Sequence, residues 1–219
     1  MRLPALLVAG VAALLMASPA HAQDPPPRIG PFVFDLHATV PMFPSDNPGL
    51  QESRTLVTGE LPGAGLGLHG GAHAYVLTWK ALTVGVGVDM TVARTRQGAV
   101  PLSETAQSRP VTETFSHIAP ELSFNFGDGD GWSYLSAGVG PSVWQFDVAG
   151  RDQVSADTER LQTTNWGGGA RWFIKPRLAF SLDVRFYTVN PSTPDLRDPG
   201  LPTQPRTRLL IIGAGVSFK

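Results

Sequence analysis

The sequence predicts an all-β protein, an eight-stranded antiparallel up-and-down transmembrane β-barrel, from three observations. Eight segments alternate apolar and non-apolar residues with a period of two. The connections between them run long, short, long, short in turn. Lysine is nearly absent from the segments, standing only at Lys80, Lys175 and Lys219.

The first strand is expected at about 32–40, with Phe32, Phe34, Leu36, Ala38 and Val40 on one face and Val33, Asp35, His37 and Thr39 on the other. The second, about 64–78, sets Leu66, Leu68, Ala72, Ala74 and Val76 against Gly67, His69, Gly71 and His73. The third, about 82–94, alternates most cleanly: Leu82, Val84, Val86, Val88, Met90 and Val92 oppose Thr83, Gly85, Gly87, Asp89 and Thr91. The fourth, about 114–126, opposes Ile118, Leu122, Phe124 and Phe126 to His117, Glu121, Ser123 and Asn125. In the fifth, about 132–146, Leu135, Ala137, Val139 and Val143 face away from Tyr134, Ser136, Gly138 and Gly140. The sixth, about 163–174, opposes Trp166, Ala170, Trp172 and Ile174 to Asn165, Gly167, Gly169 and Arg171. The seventh, about 178–187, opposes Leu178, Phe180, Leu182, Val184 and Phe186 to Ser181, Asp183 and Arg185. The eighth, about 207–218, opposes Leu210, Ile212, Ala214, Val216 and Phe218 to Gly213, Gly215 and Ser217. Tilted membrane-spanning strands need about 9–11 residues, and each run supplies them.

Tight turns are expected at Trp79–Ala81, Gly127–Gly131 and Lys175–Arg177. The connections near 41–62, 96–112, 147–162 and 188–206 are long and rich in Pro, Ser, Thr, Asp and Arg. Short periplasmic turns and long external loops are the habit of outer-membrane barrels, and an even strand number returns both chain ends to the periplasmic side.

Residues 1–22 read as a secretory signal and are set apart from the fold. Arg2 provides the positive start, Ala5 to Met16 the apolar stretch, and Ala20-His21-Ala22 a small-x-small cleavage site before Gln23. The apolar stretch is short of the roughly 20 residues of a membrane helix. Residues 23–31, with Asp24-Pro-Pro-Pro-Arg28, read as an N-terminal lead-in, and 32–219 as the barrel. Removing Arg2 leaves 16 basic residues against 18 acidic ones, from the 17 and 18 of the whole chain. No basic face marks a nucleic-acid binder. Cysteine is absent, which suits an exported chain held by closed hydrogen bonding.

Alternation is shared by soluble barrels, whose apolar face turns inward. The non-apolar face discriminates. A water-exposed strand surface carries Lys and Glu freely, whereas here that face is Gly, Ser, Thr and a few charges, a composition suited to a narrow lumen. Trp79, Trp132, Phe126, Phe186 and Phe218 fall near strand ends, where aromatic girdles are expected. Trp144 has inward parity, and a bulge near Pro141 is expected to re-aim it. Pro120 and Pro141 lie within strands of a barrel that has no free edge, and one shared bulged region is expected to absorb both.

With these strands in place, the mature chain resembles the small outer-membrane β-barrel proteins of the OmpA-barrel and OmpX type. The resemblance is one of architecture over the whole mature chain, without a diagnostic motif. It implies a barrel in the cell outer membrane of a Gram-negative envelope, reached by signal-directed export through the periplasm. Many members end in an aromatic residue read by the insertion machinery; here Phe218 is followed by Lys219.

The sharpest polar constellation is the inward set Asp89, His117, Glu121, Arg171, Asp183 and Arg185, with Tyr134 nearby in parity. An eight-stranded lumen is just wide enough for side chains to fill, so these groups must pair. The expected role is a polar plug that fixes register; the alternative is a narrow channel for ions or small solutes, with Glu121, Arg171, Asp183 and Arg185 as its constriction. A lipid-modifying enzyme ranks third. It needs nucleophile and base in reach of each other, yet His37, His69, His73 and His117 face inward, and Ser116 and its neighbour His117 point to opposite faces.

No catalytic, cofactor or metal site is expected. His69 and His73 lie about 13 Å apart on a straight strand, too far to share an ion. Gly65-Leu-Gly-Leu-His-Gly70 matches a dinucleotide pattern without the helix that gives it meaning. Gly127-Asp-Gly-Asp-Gly131 lacks the downstream Glu of a calcium loop. The expected partners are outer-membrane lipid and an extracellular ligand at the long loops, where binding tends to reside. A monomer is expected, with an envelope-structural or surface-interaction role.

Overall fold

The computed structural model describes residues 28–57, 59–154, 157–192 and 203–219. The signal assigned to residues 1–22, and 23–27 of the lead-in, lie outside the described residues. Eight strands follow one another: β1 (Phe32–Met42), β2 (Leu66–Trp79), β3 (Leu82–Gln97), β4 (Val111–Asp128), β5 (Gly131–Val148), β6 (Thr158–Lys175), β7 (Leu178–Val189) and β8 (Thr207–Phe218). Each pairs antiparallel with its sequence neighbour, and β1 pairs with β8, so the sheet closes and leaves no edge.

The outer wall is apolar. On β3 the outward residues Leu82 to Val92 span ten steps, roughly 25 Å of height at ordinary rise and tilt. The outward rows of β7 and β8 are likewise uncharged from Leu178 to Phe186 and from Phe218 to Leu210. Leu66, Leu68, Trp166, Trp172 and Leu135 are all at least half exposed or close to it, from 49 to 75 %. A continuous exposed apolar belt is unfavourable in water and is what hydrocarbon requires.

Strands β3, β4, β5 and β6 run further toward the long-loop end than their apolar alternation suggests, and there the pattern inverts. Arg94, Arg96, Gln145, Asp147 and Arg160 turn outward, while Val111, Phe115, Trp144, Phe146 and Leu161 turn inward. Above the belt the barrel is built like a soluble one. Trp144 needs no bulge to re-aim it: it keeps its inward parity and is fully buried against Phe43, Phe115 and Phe146.

The bulge expected at the prolines is also absent. His117 faces Ser142 and Glu121 faces Gly138, the same register on both sides of the gap, so no residue is inserted. The β4–β5 ladder instead skips three pairs, while Pro120 keeps its place opposite Val88 and Pro141 opposite Gln162. Both missing N–H groups therefore fall on one seam. The register shifts lie elsewhere, at Tyr75/Leu77 and Phe173/Lys175 near the short-turn end. The first turns both Val76 and Leu77 outward.

Trp132 is no girdle residue either. It is buried inside the barrel base with Ile29 and Val33, flanked by Tyr75 and Phe173. Ile29 thus gives the end of the lead-in a packed place. Trp79, Phe126, Phe186 and Phe218 do stand on the outer surface.

Candidate functional site: the layered lumen

Three layers fill the interior. The base is the Trp132 cluster just described. The mouth, at the long-loop end, is an apolar cluster into which the β1–β2 connection folds. That connection contains a short helix, α1 (Pro48–Ser53), started by Asn47, whose Oδ1 accepts from the Leu50 amide at 3.1 Å, and by Pro48, which has no N–H to leave unsatisfied. The helix drops Leu50 into the mouth beside Phe43, Leu56 and Leu61, against Phe115, Trp144, Phe146, Tyr187 and Leu209 from the strands.

Arg54, just past α1, locks this lid. It is buried, donates to Gln204 and to Glu159 (3.3 Å), and lies 4.5 Å from the Phe146 ring centroid. Burial pulls its guanidinium below the ordinary arginine pKa, opposed by the Glu159, Asp157 and Glu113 carboxylates. Arg151 donates to the Arg54 carbonyl at 2.9 Å and pairs with Asp157, tying in the β5–β6 connection.

Between mouth and base lies the polar layer, to which every strand contributes. Arg185 on β7 is its hub: Nε donates to Asp183 Oδ1 at 2.9 Å, and NH1 donates to Glu121 and stands 3.4 Å from Asp89. Three carboxylates from β3, β4 and β7 thus converge on one buried guanidinium. Asn165 donates to Glu121 at 2.6 Å. Arg171 on β6 makes a separate, two-pronged pair with Asp35 on β1 at 2.8 and 2.6 Å, and Ser217 on β8 donates to the same carboxylate at 2.5 Å. Tyr134 on β5 joins the two groups: its ring centroid lies 3.9 Å from the Arg171 guanidinium, and its hydroxyl donates to Asp183.

Of the inward residues singled out from sequence, Asp89, Glu121, Asp183 and Arg185 meet in one cluster. Arg171 pairs elsewhere, with Asp35. His117 stands apart, its Nδ1 3.1 Å from the Pro141 carbonyl. Asp35, Ser217, Ser181 and the His37–His69 pair complete the layer and were not in the sequence-derived set. Their inward parity was readable; their pairing across the lumen was not, because it joins residues such as His37 and Ser181, 144 positions apart.

Inner-face glycines make this crowding possible. A Cβ at Gly87 would come within 2.5 Å of His73 Nδ1, and one at Gly169 within 2.7 Å of Tyr134 Oη. The large side chains lie where glycine leaves the wall bare.

A hydrogen-bonded chain also runs from Ser181 to His37 (2.7 Å), from His37 to His69 (2.9 Å, stacked rings) and from His69 to Asp89. It has the order of a nucleophile, a base and a carboxylate, with the second imidazole of His69 standing between base and carboxylate. All four residues are buried between the two apolar plugs. His69 and His73 part ways as their spacing requires: His69 goes to Asp89, while His73 Nε2 stands 3.8 Å from Glu121.

No family model matches this chain, and no curated protein matches it. Among solved structures, Neisserial surface protein A is 15 % identical, covering 87 % of this chain and 97 % of that one, with a TM-score of 0.54. OprG from Pseudomonas aeruginosa is 10 % identical (89 and 98 % covered, TM-score 0.46). Ail of Yersinia pestis is 15 % identical (85 and 97 % covered, TM-score 0.41). With its closed eight-stranded ring, apolar outer belt and filled interior, the chain has the fold of the small outer-membrane β-barrel proteins.

Proposed function

We propose that the protein is an integral outer-membrane barrel with a structural or surface-interaction role, and that its lumen is a plug. What supports this reading above all is the layered interior: two apolar seals enclose a charge-paired layer that ties all eight strands together. Asp89, Glu121, Arg171, Asp183 and Arg185 then serve to hold register and closure, because a paired charge inside a narrow lumen tolerates only one arrangement of its neighbours, and His117 adds a contact to the Pro141 carbonyl. A solute path along the axis would have to cross Trp144 and Trp132, both buried in apolar clusters. The Ser181–His37–His69–Asp89 chain, enclosed in the same way, has no route by which a lipid would reach it, and forms part of the plug. The long connections carry the surface role.

Planar-bilayer recording is expected to show no steady conductance from the purified protein. A stable open channel whose current changes when Arg171 or Asp183 is neutralised would replace the plug with the narrow-channel reading.

Export is proposed to follow cleavage after Ala22. Intact mass of the protein from outer-membrane fractions is expected to correspond to a chain beginning at Gln23; a mass retaining residues 1–22 would contradict it.

A further inference from the structure

On the outer wall, where the apolar belt meets the long-loop end, a groove of about 580 Å3 opens across β6, β7, β8 and β1. The register sets its walls side by side around the barrel: Trp166 faces Phe186, Phe186 faces Leu210, and Leu210 faces Met42. The Trp166 and Phe186 rings stack with centroids 4.5 Å apart, which makes one side of the groove a flat apolar plate. Thr188 and Arg208, paired across β7 and β8, close the upper edge.

Arg208 is the first charged outward residue on β8 above the belt, and it is exposed. None of the ion pairs among the described residues uses it. Arg94 occupies the same position on β3, with Arg96 and Arg160 exposed nearby in height. The upper rim of the belt therefore carries arginines facing the membrane, at the level of the outer leaflet's headgroups. Guanidinium groups match phosphate in shape as well as charge. Several of them around the rim suit a lipid surface with more than one phosphate per molecule.

We propose that this groove binds lipid A, the phosphorylated and acylated glycolipid of the outer leaflet, with an acyl chain along Trp166 and Phe186 and a phosphate held by Arg208. The proposal rests on the outer-membrane reading above.

Native mass spectrometry of the detergent-solubilised, folded barrel tests it, with bis-phosphorylated lipid A and phosphatidylglycerol offered separately. The wild-type protein is expected to retain one lipid A. Arg208→Gln is expected to weaken retention about tenfold or more, the scale of a lost charge-assisted contact. Thr188→Trp, which fills the groove without changing charge, is expected to do the same. Arg94→Gln, on the far side of the barrel, is expected to leave it unchanged. Equal retention of phosphatidylglycerol, unchanged retention in both groove variants, or no retention at all would each overturn the proposal. Insertion into vesicles, followed by heat-modifiable gel mobility, is scored in parallel. A barrel that inserts but holds no lipid A defeats the groove alone, whereas one that does not insert defeats the membrane reading beneath it.

Discussion

Arg185→Met is expected to destabilise the folded barrel by about 3–5 kcal/mol, the usual result of removing one partner from a buried ion cluster. The reason is the number of groups that depend on it. Asp183 and Glu121 both accept from this guanidinium, and Asp89 lies 3.4 Å away. Without Arg185, three carboxylates share a lumen layer closed to water by apolar residues on both sides, with His69, Asn165 and Tyr134 as their remaining donors. Equilibrium unfolding by denaturant in lipid vesicles measures the loss. The double variant Glu121→Gln with Arg185→Met is expected to recover part of it, because one orphaned charge has been removed. A single-variant loss below about 1 kcal/mol, the scale of an exposed pair, would show that the cluster does not hold the barrel together.

Trp144→Ala is expected to cost about 3–5 kcal/mol as well, by a different route: a large cavity in a packed apolar cluster. Trp144 touches strand neighbours and lid alike. Its ring centroid lies 6.0 Å from Phe43, 5.9 Å from Phe115 and 5.8 Å from Phe146, and its indole N–H donates to Glu113 at 3.3 Å. Its loss removes the seat of the β1–β2 connection and leaves the buried Glu113 carboxylate without that donor. Limited proteolysis is expected to cut the variant near Arg54 faster than the wild-type protein, since that arginine is buried only while the lid is docked. Unchanged cleavage would mean that the lid is held by Arg54 and its partners Gln204 and Glu159, with Trp144 merely filling space. In the plug reading, this is also the variant in which a conductance would first be seen.

The order of the strands and the face each residue takes were legible because a sheet has a period of two and the membrane gives the two faces opposite solvents. Leu82 to Val92 against Thr83 to Thr91 is unambiguous at any register. The short turns were legible as well: β2 ends at Trp79, β4 at Asp128 and β6 at Lys175, beside the expected breaks. What misled was the assumption that one rule covers a whole strand. Beyond about Arg94 on β3 and Val143 on β5, the outer face turns from apolar to charged and the apolar side chains move inside, the arrangement that a change of surroundings from hydrocarbon to water requires. Trp144 looked anomalous only because it belongs to that second zone. The prolines misled in another way. A missing donor can be absorbed by an extra residue or by a locally open ladder, and strand periodicity is the same for both.

Periodicity, loop lengths and the scarcity of lysine were enough to establish a closed eight-stranded wall with its apolar face outward, because these are properties of each strand and its immediate solvent. Which inward groups would meet lay outside that information. Asp35 finds Arg171 across 136 positions and Arg185 finds Glu121 across 64, and such pairings depend on tilt, register and the space left by Gly87 and Gly169. The folding of α1 into the mouth was equally invisible, since a loop's seat is made by residues contributed from strands far along the chain. Side-chain facing is local and therefore written in the alternation; side-chain partnership is a consequence of closing the ring.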